Sequence, residues 1–245
     1  MLKNKQLIRN INMRTQKVFL KFWCFCMLIL LLSCKSDGSK KATESDTSTP
    51  KAEIETTQKS SSKKIVFFGD SLTAGYGLDD VNDAFPGIIQ RKIDSLELDY
   101  SIVNSGVSGE TTSGGKNRID WVLNEKPSIF ILELGANDGL RGVPLKQSKE
   151  NLQAIIDAVK KKYPDTKIVL AGMQLPPNMG QTYTTEFKNI FPELAKKNDV
   201  QLIPFLLEDV GGVSALNQSD GIHPTKEGHQ IMAKNVWDVL EPMLQ

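Results

Sequence analysis

A three-layer α/β fold around a parallel sheet is predicted by three features of this chain. From residue 64 onward, five short apolar runs alternate with segments of helical period. Three of those runs are almost continuously hydrophobic, as strands covered on both faces must be. The alternation repeats about five times, which calls for right-handed crossovers and helices on both faces of one sheet.

Taken in order, the first strand is Ile65-Val66-Phe67-Phe68. A helix follows over Ala84–Leu96, with Phe85, Ile88, Ile89, Ile93 and Leu96 on one face. The second strand is Tyr100–Val103 and the third Ile129–Leu132. Leu145–Tyr163 reads as a helix through Leu152, Ile155, Ile156 and Val159. The fourth strand is Lys167–Leu170, followed by a helix over Thr184–Lys197. Lys197 and Asn198 give that helix an exit before the fifth strand, Val200–Ile203. Lys226–Leu240 is the closing helix. In such folds the active site lies at the carboxyl ends of the strands.

The 245 residues suffice for one sizeable domain with its own core, and the composition is that of a globular protein, 40% hydrophobic and 24% charged. Net charge is +1, but residues 1–33 hold six Lys/Arg and no Asp/Glu. Without them the count is 24 basic against 29 acidic, a net of −5. A mildly acidic body lacks the basic stripe that phosphate backbones require, which excludes a nucleic-acid binder. The cysteines are Cys24, Cys26 and Cys34. The body therefore has no disulfide framework, no cysteine nucleophile and no thiolate metal site.

The amino-terminal segment reads as an address. Lys3, Lys5, Arg9, Arg14, Lys17 and Lys21 precede an apolar run, Phe22–Leu32, too short to span a bilayer and suited to a signal-peptide core. Met13 offers a second start within it. The run ends in Leu31-Leu32-Ser33-Cys34, which resembles a bacterial lipobox, with cleavage before Cys34 and lipid on its sulfur. An ordinary signal peptide or an uncleaved anchor are the other readings; Leu31, Ser33 and the polar turn after them favour lipidation. The following residues, to 63, are rich in Ser, Thr, Lys and Glu and too poor in apolar surface to offset their chain entropy. The organisation expected is thus a signal segment 1–33, a lipidated cysteine and tether 34–63, and a body 64–245. The tether holds that body off an extracytoplasmic membrane surface.

Four motifs stand at successive strand ends. Gly69-Asp70-Ser71-Leu72 follows the first strand, where a serine can project its hydroxyl into the crevice or cap the next helix. Asn104-Ser105-Gly106-Val107-Ser108-Gly109 follows the second; a glycine N–H there can meet a developing oxyanion, or the glycines simply turn the loop. Asn137-Asp138 follows the third, and the asparagine amide is a neutral donor or a helix cap. Asp138 reads as structural. Asp220-Gly221-Ile222-His223-Pro224 lies before the last helix. One turn can bring the Asp220 carboxylate to one ring nitrogen of His223, leaving the other for a serine. His229, the other histidine, falls inside the last helix and is expected to face solvent.

With these four motifs in this order, the chain resembles the GDSL or SGNH hydrolases, and more narrowly the bacterial thioesterase I, lysophospholipase and arylesterase group. The likeness runs from about Lys64 to the carboxyl terminus and includes Asn137–Gly142, Leu175–Gly180 and Asp220–Pro224. It implies a flavodoxin-like α/β/α sandwich with a five-stranded parallel sheet. It implies Ser71 as nucleophile, with Asp220 and His223 as its base system. The oxyanion hole would be the N–H groups of Ser71 and Gly109 and the side-chain amide of Asn137. Gly109 is preferred to Gly106 because the family pattern reads Asn, four residues, Gly, and Asn104 sets that register. Leu175, Pro176 and Met179 would border the acyl crevice.

The activity implied is acyl-ester hydrolysis, on lysophospholipid, aryl or other carboxylic esters and possibly on thioesters, without metal or cofactor. A carbohydrate acetyl esterase of the same fold is the alternative within enzymes. A ligand-binding lipoprotein with an inactive hydrolase body is the alternative outside them.

Overall fold

The computed structural model describes residues 63–244. The expected signal segment, Cys34 and nearly all of the tether lie outside them. The strands are β1 (Lys63–Gly69), β2 (Tyr100–Gly106), β3 (Ile129–Glu133), β4 (Lys167–Ala171) and β5 (Gln201–Ile203). They pair in the order β2-β1-β3-β4-β5, every pair parallel. Residues 65–69 of β1 and all of β3 are buried, which is why Ile65–Phe68 and Ile129–Leu132 read as unbroken apolar runs. All five expected strands are present; β2 extends further than its apolar run, to Gly106.

The helices are α1 (Ser71–Ala74), α2 (Phe85–Ser95), α3 (Thr112–Val122), α4 (Ala136–Leu140), α5 (Leu145–Lys162), α6 (Gln181–Asn198) and α7 (Lys226–Leu240). α2 packs on α7, and α5 packs on both α3 and α6, giving a helical layer on each face of the sheet. Phe67 of β1 meets Phe85 of α2 edge to face at 5.5 Å, and Phe187 meets Phe191 within α6 at 5.4 Å. The chain steps from β1 to β2, then returns past β1 to β3 and on to β5. That reversal puts the topological switch point between β1 and β3, with a crevice outside their carboxyl ends.

Helix α3 was not expected. Its sequence carries Gly114 and Gly115, each costing a helix about 1 kcal/mol relative to alanine. The tertiary packing explains Gly115: a Cβ there would lie 2.4 Å from Leu134 Cδ1 and 3.1 Å from Phe68 Cε1. The helix is begun by Thr111, whose hydroxyl accepts from the Gly114 N–H. It is anchored by buried Asp138, which accepts from the Thr112 N–H and hydroxyl, at 2.8 and 2.5 Å, and from the Ser148 hydroxyl at 3.1 Å. Asp138 thereby ties α3 to α4 and α5.

His229 contradicts the expectation that it faces solvent: it is buried. The amino end of α2 has no side-chain cap from its own segment. His229 of α7 supplies one, its Nδ1 accepting the Phe85 N–H at 3.2 Å, with its ring stacked on Phe85. Only a neutral imidazole can accept there. Burial, and secondarily the charge of His223, lowers the His229 pKa from 6.5 to about 4.

Because the folded pKa is depressed, the unfolded chain takes up this proton first as pH falls. The stabilisation is full above about 6.5 and is lost progressively down to about 4, by about 3 kcal/mol at most. His229→Gln is expected to melt below the parent at pH 7 and to narrow or reverse that gap by pH 4.5. A gap independent of pH, in melting curves across that range, would show that His229 is not held neutral.

Candidate active site

The site is built where β1, β2 and β3 end. Strand β1 stops at Gly69, and a Cβ at that position would sit 2.2 Å from Thr73 Oγ1 and 2.3 Å from Glu133 Oε2. A Cβ at Gly106 would sit 2.3 Å from the Ala74 backbone nitrogen. The turn that carries Ser71 is therefore wedged against the ends of β2 and β3. Asp70 caps this turn, its Oδ1 accepting from the Leu72 N–H at 3.0 Å. Ser71 is the first residue of α1, where a backbone N–H has no partner inside the helix.

Ser71 Oγ lies 3.0 Å from His223 Nε2, and His223 Nδ1 lies 2.6 Å from Asp220 Oδ2. The other carboxylate oxygen, Asp220 Oδ1, accepts from the N–H groups of Ile222 and His223, both at 3.0 Å. Aspartate thus folds its own loop into the turn that presents the histidine. The hydrogen bond to His223, and then the two backbone N–H groups, hold the Asp220 pKa down to about 2. The loop is seated on the serine turn by Gln218, whose amide donates to the carbonyls of Tyr76 and Pro224 at 2.7 and 3.0 Å. The Tyr76 ring lies 4.6 Å from that of His223.

The second and third strand-end motifs converge on the same point. Gly106 N–H is already bonded to Asn104 Oδ1 at 3.0 Å, and Asn104 Nδ2 donates to the Thr73 carbonyl at 2.8 Å. Gly109, with φ of 77°, makes no backbone N–H bond among the described residues. Asn137 on α4 donates from Nδ2 to Asp70 Oδ2 at 3.0 Å, beside Ser71. Arg141 Nη2 donates to the Gly109 carbonyl at 3.1 Å and to Asn137 Oδ1 at 3.2 Å. The Gly109 loop is braced from below by Arg118, which pairs with Glu110, donates to the Ser105 carbonyl at 2.8 Å and lies over the Phe68 ring.

Beneath the serine turn lies a pair of buried acids. Glu133 Oε2 accepts from the Asp70 N–H at 3.1 Å and from the Thr73 hydroxyl at 2.8 Å. Burial pushes Asp70 up to about 6, against the pull of Leu72 and Asn137. Burial and the Asp70 charge push Glu133 well above the usual carboxyl range.

Of the residues singled out from sequence, Ser71, His223 and Asp220 form one hydrogen-bonded chain, and Asn137 and Gly109 are linked beside it. Leu175 packs against Gly139 of α4, two residues beyond Asn137; Pro176 is exposed and Met179 half-buried in a short turn, Pro177–Met179. Sequence reasoning passed over Asp70, Glu133, Arg141 and Gln218. Glu133 left one signal, an acid closing an otherwise apolar strand. Arg141 stood in the Asn137–Gly142 stretch of the likeness without a role of its own, and Gln218 left no signal in its spacing. Exposed apolar side chains lie around the site: Tyr76 against His223, Ile222 next to it, Val107 near Gly109, and Leu140 next to Arg141. Among the described residues no cluster of His, Cys, Asp or Glu could hold a metal ion, and no helix is long and apolar enough to cross a membrane.

Residues 67–231 match the GDSL-like lipase/acylhydrolase family. The chain is similar to the esterase TesA of Pseudomonas aeruginosa, 38% identical over 77% of this chain and 92% of that one. It is 35% identical to thioesterase 1/protease 1/lysophospholipase L1 of Escherichia coli, over 74% of this chain and 84% of the relative. A solved structure of a psychrotrophic esterase EstA from Pseudoalteromonas sp., inhibited by monoethylphosphonate, superposes with a TM-score of 0.70 at 32% identity, covering 74% of this chain and 98% of that one.

Proposed function

The chain belongs to the GDSL-like lipase/acylhydrolase family and hydrolyses esters, and from that premise we propose a two-step acyl transfer to water carried by Ser71, His223 and Asp220. The supporting observation is the unbroken hydrogen-bond chain from Asp220 through His223 to Ser71 Oγ. His223 Nε2 takes the Ser71 proton as Oγ attacks the acyl carbon, then gives it to the departing alcohol or thiol. Asp220 holds the Nδ1–H tautomer and stabilises the imidazolium. Water then repeats the cycle on the acyl-enzyme. The charge on the carbonyl oxygen is received by the N–H groups of Ser71 and Gly109 and by Asn137 Nδ2, none of which must reorganise as the reaction proceeds.

The apolar rim of Tyr76, Val107, Leu140 and Ile222 favours an acyl group longer than acetyl. Hydrolysis of p-nitrophenyl esters from acetyl to palmitoyl tests this: a maximum beyond acetyl is expected, and an acetyl-only profile selects the carbohydrate-esterase alternative. Leu175, Pro176 and Met179 belong to the same reading as the segment that tunes acyl length, supported by the seat of Leu175 on α4.

Cys34 belongs to it as the lipid-bearing residue of an extracytoplasmic enzyme, supported by the apolar run and Ser33 before it. A membrane-held hydrolase outside the cytoplasm meets lysophospholipids and other acyl esters and not acyl-CoA. Partition of the full chain into the detergent phase, lost in Cys34→Ser, is expected; equal partition of the two proteins refutes lipidation.

A further inference from the structure

We propose that Arg141 is a positioning residue for the oxyanion hole, joining the Gly109 loop to the Asn137 amide and so setting where two of the three donors point. The inference rests on the assignment of Gly109 and Asn137 as those donors.

Asn137 is held at both ends by groups of opposite demand. Its Nδ2 donates to the Asp70 carboxyl at 3.0 Å, and its Oδ1 accepts from Arg141 Nη2 at 3.2 Å. A guanidinium can only donate, so the amide has one orientation that satisfies both neighbours. In that orientation the nitrogen is on the Ser71 side, where its second hydrogen serves the oxyanion. Arg141 follows Asn137 by four residues at the carboxyl end of α4, the spacing at which side chains on a helix meet. Without Arg141, Oδ1 loses its partner and only the bond to Asp70 holds the amide about its last torsion.

Gly109 depends on the same side chain for a different reason. It sits at φ of 77° in an exposed loop, and glycine has no side chain of its own to pin it. Its carbonyl accepts from Arg141 Nη2 at 3.1 Å. Fixing that carbonyl limits the rotation of the residue and thereby the aim of its N–H. One nitrogen of a planar, always charged group therefore serves both donors. Arg141 touches no reacting atom in this scheme; it acts through Gly109 and Asn137.

The test compares Arg141→Ala, Arg141→Lys and Asn137→Ala with the parent in full-length protein, on one p-nitrophenyl ester, with melting temperatures alongside. Arg141→Ala is expected to lower kcat by about 10- to 100-fold, less than the ~10²–10³-fold loss for a deleted donor, with KM within about twofold. Its melting temperature should hold, because the side chain is exposed. Guanidinium chloride at millimolar concentration should restore part of kcat to Arg141→Ala and none to Asn137→Ala. Arg141→Lys, which keeps the charge without the planar fork, should fall between, and it carries the test if the alanine variant melts early. Parental kcat in Arg141→Ala beside a crippled Asn137→Ala overturns the proposal and leaves the donor assignment standing. A raised KM at parental kcat also overturns it, assigning Arg141 to substrate contact. Parental turnover in Asn137→Ala removes the donor assignment and this inference with it.

Discussion

Replacing Ser71 by alanine is expected to lower ester turnover by about 10⁶-fold, down to the residual rate that oxyanion donors and binding supply alone. The expectation follows from how few alternatives the site contains. Ser71 Oγ lies at the end of the only His–Asp pair among the described residues, and the body carries no cysteine. Among the described residues the hydroxyl bonds only to His223, and that imidazole keeps some solvent access, so water can replace the lost partner. The variant should therefore fold and melt like the parent. A serine-directed phosphonate gives the second readout, since the similar EstA is inhibited by monoethylphosphonate. The parent should gain one phosphonyl group by mass and Ser71→Ala none. Labelling that persists in the variant would place the nucleophile elsewhere.

Asp220→Asn is expected to lower kcat by about 10³–10⁴-fold with KM little changed. Asparagine can still accept the Ile222 and His223 backbone N–H groups through its oxygen, so the loop should keep its turn. The other end of the side chain becomes a donor facing His223 Nδ1, which favours the tautomer with its proton on Nε2, where Ser71 needs an acceptor. Asp220 is 39% exposed at its side chain, so water competes for the imidazole and places the loss toward the lower end of that range. In the parent, Asp220 stays ionised down to about 2 because the bond to His223 holds its pKa low. The fall of activity between neutrality and that pH is therefore not a titration of Asp220. Turnover in Asp220→Asn within about tenfold of the parent would remove Asp220 from the base system.

Much of the fold was legible because its signals are local. The central strands are buried on both faces, so Ile65–Phe68 of β1 and Ile129–Leu132 of β3 carry no polar residue to blur their runs. The long amphipathic helices α2, α5, α6 and α7 repeat apolar positions at helical spacing. Helix α3 was not legible, since its Gly115 answers to Leu134 and Phe68, residues distant in sequence. His229 misled for the same reason. Its burial depends on the unfilled cap of α2, lying 144 residues earlier.

The sequence by itself determined the alternation of strand and helix, the places where chemistry could lie, and the pairing of Asp220 with His223, which one short turn makes locally. Only the tertiary structure decided where along the carboxyl edge of the sheet those places meet. The reversal of direction between β1 and β3 is a property of strand order, and no single segment contains it. It also decided the supporting contacts: Asn137 on Asp70, Glu133 under the serine turn, and Arg141 across Gly109 and Asn137. Those contacts depend on distances between loops that follow different strands. Patterns within a segment report burial and turn, whereas the aim of a donor depends on what packs against it from elsewhere in the chain.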